Sequence, residues 1–382
     1  MIYNFGDTFN TSLINIIIYF FIIILSAISF AIISYKFKKN YTTGILIYSY
    51  SSLWGVIFLI SSQFYGYSDS SGWTTNAYER LQWGIYPLNF FDFRNYIQNY
   101  FLYTINLSLI FSGLDYLGIN LIFNTLSSLG LLFFYFALTK NRLNNSNFWV
   151  ILIMVFLPSF MFWTSGISKD SLILLPIGVA IYYLDKFNEN LIKFFFIILL
   201  LVLIRPYYGL LITIGSLVFS SIILIKKKNL LAFFSFLFLI CLVIILYNVV
   251  WDKGFANIPS YLETLKSQYP NVSTAIDKDL NFFLRIFSYY FRPFIFDLKP
   301  NTFVLILIIE NIFLFLLLLF LIKKAKFKNF FEDNENLFLF IIILVMVIFF
   351  SQITSNYGTA WRQKWMSLPF IFYLLIKNFK KD

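Results

Sequence analysis

The feature that most constrains this chain is a succession of apolar runs that carry at most one charge each. The first run, residues 12–34, is long enough to cross a membrane core of ~30 Å as one helix. Hydrophobic residues make up 60% of the chain and charged residues only 12%, too few charges for a soluble fold to cover its surface. The runs are continuous and do not alternate, which argues against a β-barrel. The sequence therefore predicts an all-α, polytopic transmembrane helical bundle.

Eleven crossings are predicted, in a single integral membrane domain over residues 1–382. Basic turns alternate with other turns along the chain, and 17 of the 29 Lys and Arg residues lie in the basic turns. The positive-inside rule places these turns in the cytoplasm, with the N-terminus outside and the C-terminus inside. The predicted crossings are residues 12–34, 43–62, 117–138, 148–164, 171–184, 192–204, 208–225, 230–250, 301–322, 337–353 and 365–377.

Two long loops, residues 63–116 and 251–300, are predicted on the outer face and are expected to carry short interfacial helices. The apolar segment 98–113 within the first loop is interpreted as an interfacial or re-entrant helix, because a further crossing would move every later basic turn outside. The runs 171–184 and 192–204 are too short to cross the core alone. Either they extend into flanking polar residues, or their outer ends lie below the membrane surface.

Histidine is absent and cysteine occurs once, which narrows the chemistry that the chain can carry out. The chain has no His and a single Cys, Cys241, so imidazole catalysis, His-ligated zinc and internal disulfides are excluded. No cytoplasmic domain and no nucleotide-binding motif interrupt the apolar runs, and no nucleic-acid partner is expected. Function is therefore predicted at the outer face or inside the membrane.

The first outer loop supplies the candidate catalytic residue, Asp69. Its neighbours Ser68, Ser70, Ser71 and Gly72 are turn residues, and a carboxylate on a turn above the membrane could act as a general base towards a hydroxyl group. The alternative is a solvated carboxylate in a turn. Asp92 and Glu79 in the same loop are weaker candidates.

Basic residues at the predicted outer ends of helices form the second candidate group. One such residue is explained by snorkelling to lipid headgroups, but a set of them on one side indicates an anionic ligand. A lipid phosphate or pyrophosphate suits this place best, and Arg can bind it with two hydrogen bonds. The set comprises Lys169, Arg205, Arg292, Arg362 and Lys364.

Two acidic residues have both a structural and a functional interpretation. Asp170 lies in the first turn of a helix that Ser168 is predicted to cap, which favours a structural role. Glu310 lies about nine residues into the run 301–322. A carboxylate at that depth is a functional candidate, and the alternative is a paired residue that ties helices together.

These motifs together resemble polytopic membrane glycosyltransferases of the GT-C type, including bacterial surface-polysaccharide polymerases. The resemblance covers residues 60 to 370 and rests on the loop around Asp69 and on four short motifs. These are PSFMFWTSGISKDSLIL from residue 158, LIRPYY from 203, FRPFIFD from 291 and GTAWRQKWMSLP from 358.

The resemblance implies roles for the candidate residues and a location in the bacterial cytoplasmic membrane. Asp69 would be the catalytic carboxylate. The donor phosphate would be held by Lys169, Arg205, Arg292 and Arg362. Two departures are an additional N-terminal helix and the lack of a DxD-like pair at Asp69; no metal-ligating residue is assigned, and a requirement for Mg²⁺ or Mn²⁺ is left open.

The expected function is transfer of a sugar or oligosaccharide from a polyprenyl-(pyro)phosphate donor to a lipid-linked glycan acceptor. A polymerase and a single-sugar transferase are both compatible with the sequence, and no oligomeric state is predicted. The alternative from another class is a transporter or flippase of lipid-linked glycans, with Glu310 as a proton relay. The lack of internal repeats argues against it.

The predicted topology can be tested with reporter fusions. A fusion at residue 270 should report the outer side and a fusion at residue 227 the cytoplasm, because the positive-inside rule fixes both. A cytoplasmic signal at 270 would contradict the predicted topology, and with it the outer position of every candidate residue.

Overall fold

The computed structural model describes most of the predicted helices and part of their connections. Asp69, Asp92, the segment 98–113, the run 230–250 and most of the loop 251–300 lie outside the described residues. The described residues are 13–37, 39–64, 114–140, 151, 155, 157–184, 191–227, 276, 280–294, 297, 302–327, 330–354 and 356–379.

These ranges contain twelve α-helices, one short 3₁₀ helix at Lys364–Met366 and an isolated β-bridge between Ala325 and Phe379. The α-helices are α1 Leu13–Lys36, α2 Tyr41–Phe64, α3 Tyr116–Lys140, α4 Pro158–Thr164, α5 Lys169–Leu184, α6 Leu191–Ile204, α7 Pro206–Lys227, α8 Phe282–Phe291, α9 Thr302–Lys324, α10 Asn334–Ile353, α11 Tyr357–Gln363 and α12 Leu368–Lys377.

Five described helices are long and apolar enough to cross a membrane, namely α1, α2, α3, α9 and α10. Helices α4 and α5 meet the same criterion together, but the chain bends by 112° between them. An all-α protein with several membrane-crossing helices is therefore supported, while the number eleven stays a prediction.

Two of the helices remain as short as their sequence runs suggested. Helix α5 has 16 residues and α6 has 14, which correspond to about 24 and 21 Å at the rise of an α-helix. Neither reaches across a core of ~30 Å. The connection between α6 and α7 is the single residue Arg205, so a polar extension does not lengthen α6 at that end.

Helix α1 exposes apolar side chains and buries a small polar one, which reverses the rule for soluble proteins. Phe20 and Phe21 are 62% and 63% exposed, whereas Ser34 is fully buried. Such a surface suits hydrocarbon and not water.

The helices divide into two compact units, and neither is one continuous stretch of chain. The first unit comprises Met1–Thr139, Phe160–Tyr183 and Ile192–Arg205. The second comprises Lys140–Ser159, Leu184–Leu191 and Pro206–Asp382. The single membrane domain stays a prediction.

In the first unit, glycines allow helix backbones to touch. A Cβ atom at Gly130 of α3 would overlap the backbone of Leu174 in α5, and one at Gly178 of α5 would overlap the Gly130 carbonyl. Small residues promote helix association in this way inside membranes, where lipid removes much of the hydrophobic driving force. A buried hydrogen bond of 2.7 Å from Ser51 Oγ to Asn124 Oδ1 joins α2 to α3.

In the second unit, polar contacts tie the end of α12 to the start of α10. Lys377 Nζ lies 2.9 Å from Asp333 Oδ2 and 2.6 Å from Glu335 Oε2. The side chains of Asn336 and Asn378 exchange two hydrogen bonds of 2.9 and 3.0 Å. Both helix ends were predicted to lie on the cytoplasmic side, and the structure brings them to one end of this unit.

The glycine contact gives a prediction about stability. Gly130→Ala should lower the free energy of unfolding by about 1–3 kcal/mol, because the new methyl group meets backbone that cannot move freely. The matched control is Gly358→Ala in α11, where the nearest atom to a new Cβ is Asn356 Oδ1 at 3.5 Å. That control should be neutral or slightly stabilising, because Ala favours helix over Gly. Thermal unfolding of the detergent-purified variants would measure both effects. A Gly130→Ala protein that is as stable as wild type would contradict the close α3–α5 contact.

Candidate functional site

Glu310 is the centre of a buried polar network in the second unit. Its carboxylate accepts hydrogen bonds from the Ser159 amide at 3.0 Å, from the Ser159 hydroxyl and from Trp361 Nε1 at 3.4 Å. Trp365 Nε1 donates to Ser159 Oγ at 2.6 Å. The carboxylate therefore accepts hydrogen bonds from two separate parts of the chain, at Ser159 and at Trp361.

Lys364 supplies the opposite charge in the same network. Its Nζ lies 3.8 Å from Glu310 Oε1 and donates to Asn311 Oδ1 at 2.7 Å. The side chains of Lys364 and Glu310 are only 1% and 3% exposed. Asn311 also donates to the Pro293 carbonyl at 3.5 Å. Two charges that would be costly alone are thus paired and hydrogen-bonded.

The sequence singled out Glu310 and Lys364 for different reasons, and the structure places them together. Glu310 lies eight residues after the first residue of α9, or about 12 Å along the helix. The segment between α10 and α12 reaches Glu310, because Lys364 Nζ lies 3.8 Å from the Glu310 carboxylate. The pairing accounts for both charges structurally, and a catalytic role for Glu310 stays a prediction.

In the first unit, Asp170 and Arg205 form an ion pair at helix ends. Asp170 lies in the first turn of α5, and Arg205 lies between α6 and α7. Their side chains are 7% and 19% exposed. The Ser171 amide donates to Ser168 Oγ at 3.2 Å, which confirms the predicted cap of α5. Asp170 therefore has two structural roles, at the helix start and as the partner of Arg205.

Arg292 at the C-terminal end of α8 is bound by Asp297. Arg292 Nε donates to Asp297 Oδ2 at 2.9 Å and Nη2 donates to Oδ1, while the Phe294 amide donates to Oδ2 at 2.6 Å. Burial acts to raise the pKa of Asp297, but the hydrogen bonds from Arg292 and Phe294 and the charge of Arg292 outweigh it, so the pKa lies below its ordinary value. Arg292 therefore makes with a carboxylate the pair of hydrogen bonds that was predicted with a phosphate.

The remaining predicted residues are more scattered. Lys169 is the first residue of α5 and Arg362 lies in the last turn of α11, each at intermediate exposure. Asp69 and Asp92 lie outside the described residues, so their positions stay predictions. Within the described part of the chain, no three acidic or other metal-ligating side chains gather in one place.

Sequence reasoning missed two residues of this region, Asp297 and Arg285. Asp297 follows Arg292 by five residues within the quoted motif FRPFIFD, which could have suggested the pair. Arg285 lies seven residues before Arg292, a spacing that puts both on one helix face. Arg285 is only 7% exposed, and among the described residues its Nε has no hydrogen-bond partner.

The buried pair gives a prediction about stability. Glu310→Gln should destabilise the protein by about 3–5 kcal/mol, because it leaves the Lys364 ammonium buried without its counter-charge. Adding Lys364→Met should recover most of the loss, since the double variant buries no charge. Unfolding free energies of the two single variants and the double variant would measure the coupling. Additive losses would show that the two charges do not stabilise each other.

Comparison with known proteins does not assign the chain to a family: no family model, no curated protein and no solved structure matches it.

Proposed function

We propose that this protein is a glycosyltransferase of the bacterial cytoplasmic membrane that acts at the outer face. The donor is a sugar or oligosaccharide on polyprenyl (pyro)phosphate, and the acceptor is a lipid-linked glycan in surface-polysaccharide assembly. The GT-C resemblance, the N-terminus outside and the C-terminus in the cytoplasm belong to this proposal.

The observation that carries the proposal is the set of basic residues on turns that short helices hold below the predicted outer surface. In the first unit, Arg205 ends the 14-residue α6, which is too short to span the core. In the second unit, Arg362 lies in the last turn of α11, shortly before the 10-residue α12. A phosphate on a lipid chain is the anion that is found at that depth.

The ion pairs of Arg205 and Arg292 are compatible with phosphate binding. A guanidinium group has five N–H donors, and one carboxylate engages only part of them. Asp170 and Asp297 hold each guanidinium in place before a ligand arrives, which reduces the entropy lost on binding.

The proposed chemistry assigns one step to each group. Asp69 takes the proton of the acceptor hydroxyl as that oxygen forms a bond to the anomeric carbon of the donor. The bond between the anomeric carbon and the phosphate oxygen breaks at the same centre. The lipid (pyro)phosphate leaves, and Lys169, Arg205, Arg292 and Arg362 stabilise its developing charge.

A transporter or flippase of lipid-linked glycans is the second candidate, and one observation favours it. The 112° bend between α4 and α5 resembles the interrupted helices that form substrate sites in secondary transporters. Such helices usually occur in pairs within repeated halves, and the described residues contain one bent pair.

The proposal is tested by transfer to a lipid-linked acceptor with purified protein and a polyprenyl-linked donor. Asp69→Asn should lower the rate by about 10²–10⁴-fold, because the amide cannot accept the proton, while donor binding persists. The neighbouring Ser70→Ala serves as control and should transfer normally.

Leaflet-resolved labelling in cells separates the two candidates. An enzyme that lacks its base should leave precursor on the outer leaflet and shorten the surface glycan. Precursor stranded on the inner leaflet, or undiminished glycan in the Asn variant, would contradict the assignment of Asp69 as the base.

A further inference from the structure

Helix α8 has an inverted distribution of polar and apolar residues. Its buried face carries Arg285, Ser288 and Tyr289, which are 7%, 2% and 1% exposed. On its other side, Phe283 is 78% exposed and Leu284 is 49% exposed. A helix that faces water would do the reverse. The arginine is therefore directed into the protein and the aromatic side chains towards an apolar surrounding.

Arg285 differs from three other basic residues of the described chain because the described residues give it no partner. Arg205 has Asp170, Arg292 has Asp297 and Lys364 has Glu310. No described side chain forms an ion pair or a hydrogen bond with the Arg285 guanidinium. Burial lowers its pKa below the ordinary value, as expected for a cation removed from water without compensation.

A buried arginine without a counter-charge is destabilising, since arginine stays protonated and cannot escape by neutralisation. The same chain pairs the buried Lys364 with Glu310, so a counter-charge for a buried cation can be supplied by its own residues. The described residues give Arg285 no counter-charge, and an anion that binds from outside the chain would supply one.

We propose that Arg285 anchors a binding site for a phosphate group on the buried face of α8. Ser288 and Tyr289 lie three and four residues after Arg285, so the three side chains lie on the same buried face of α8. A guanidinium and two hydroxyl groups are suitable hydrogen-bond donors for phosphate oxygens. Tyr290 is not part of the site, because its hydroxyl is bonded to Ser367 Oγ at 2.6 Å.

The outward apolar face of α8 favours a phosphate that is attached to a hydrocarbon chain. That this phosphate belongs to the glycan donor rests on the proposed function, whereas phosphate binding itself does not.

The test measures binding of dodecyl phosphate and of inorganic phosphate to the full chain in a neutral detergent. Wild-type protein should bind dodecyl phosphate, and Arg285→Met should weaken this by about ten- to a hundredfold, which is the loss of a charged hydrogen bond. Arg285→Lys should keep part of the affinity, because the ammonium retains the positive charge but lacks the planar set of donors of a guanidinium. The control Lys324→Met removes an exposed cation and should leave binding unchanged.

Inorganic phosphate identifies the source of the anion. Binding of both probes with equal affinity indicates a site for soluble phosphate, and preference for dodecyl phosphate indicates a lipid headgroup. Either result supports the site, provided that the binding of each probe that binds is weaker in Arg285→Met than in wild type. Equal binding by wild type and Arg285→Met would overturn it.

Stability of the ligand-free protein distinguishes binding from a structural role. Arg285→Met should be as stable as wild type or more stable, because it removes an unpaired buried charge. A large loss of stability together with unchanged phosphate binding would show that Arg285 only supports the fold.

The outcome is separable from that of the proposed function. If Arg285 controls phosphate binding but no donor supports glycosidic-bond formation, the site stands and the transferase proposal fails. If the Arg285→Met protein binds phosphate and transfers sugar as wild type does, the transferase proposal stands and the site is wrong.

Discussion

A charge inside an apolar protein must find an opposite charge or enough hydrogen bonds, and this requirement organises the second unit. Glu310 would be untenable alone within α9, because burying a carboxylate costs several kcal/mol. Ser159, Trp361 and Lys364 satisfy it together. Since these donors come from separate stretches of the chain, the position of each stretch is fixed by the same carboxylate.

The same requirement applies to the basic residues at helix ends. Their side chains are less exposed than side chains that extend to the lipid headgroups. Arg205 and Arg292 keep 19% and 29% of their side chains exposed, and each is bound to an aspartate. Their charges are thus retained inside the protein at the cost of an acidic partner. Because each charge needs its own aspartate, we expect the guanidinium groups to do more than stabilise the end of a helix.

The sequence predicted the helices well and their lateral neighbours poorly. Continuous apolar runs foretold α1, α9 and α10 to within a few residues, because a membrane core demands a minimum length of helix. Nothing in the order of residues indicates that Lys364 meets Glu310, 54 positions earlier, since that contact depends on how helices pack. Arg285 was not predicted because it lies inside an aromatic stretch and not at a predicted helix end.

The bare contact between α3 and α5 has a mechanical consequence. With no side chains between Gly130 and Gly178, the two backbones interlock, and sliding or rotation of one helix against the other would drive atoms into each other. Helices α3 and α5 therefore behave as one rigid body. Any change of shape in this unit therefore has to occur outside the α3–α5 pair.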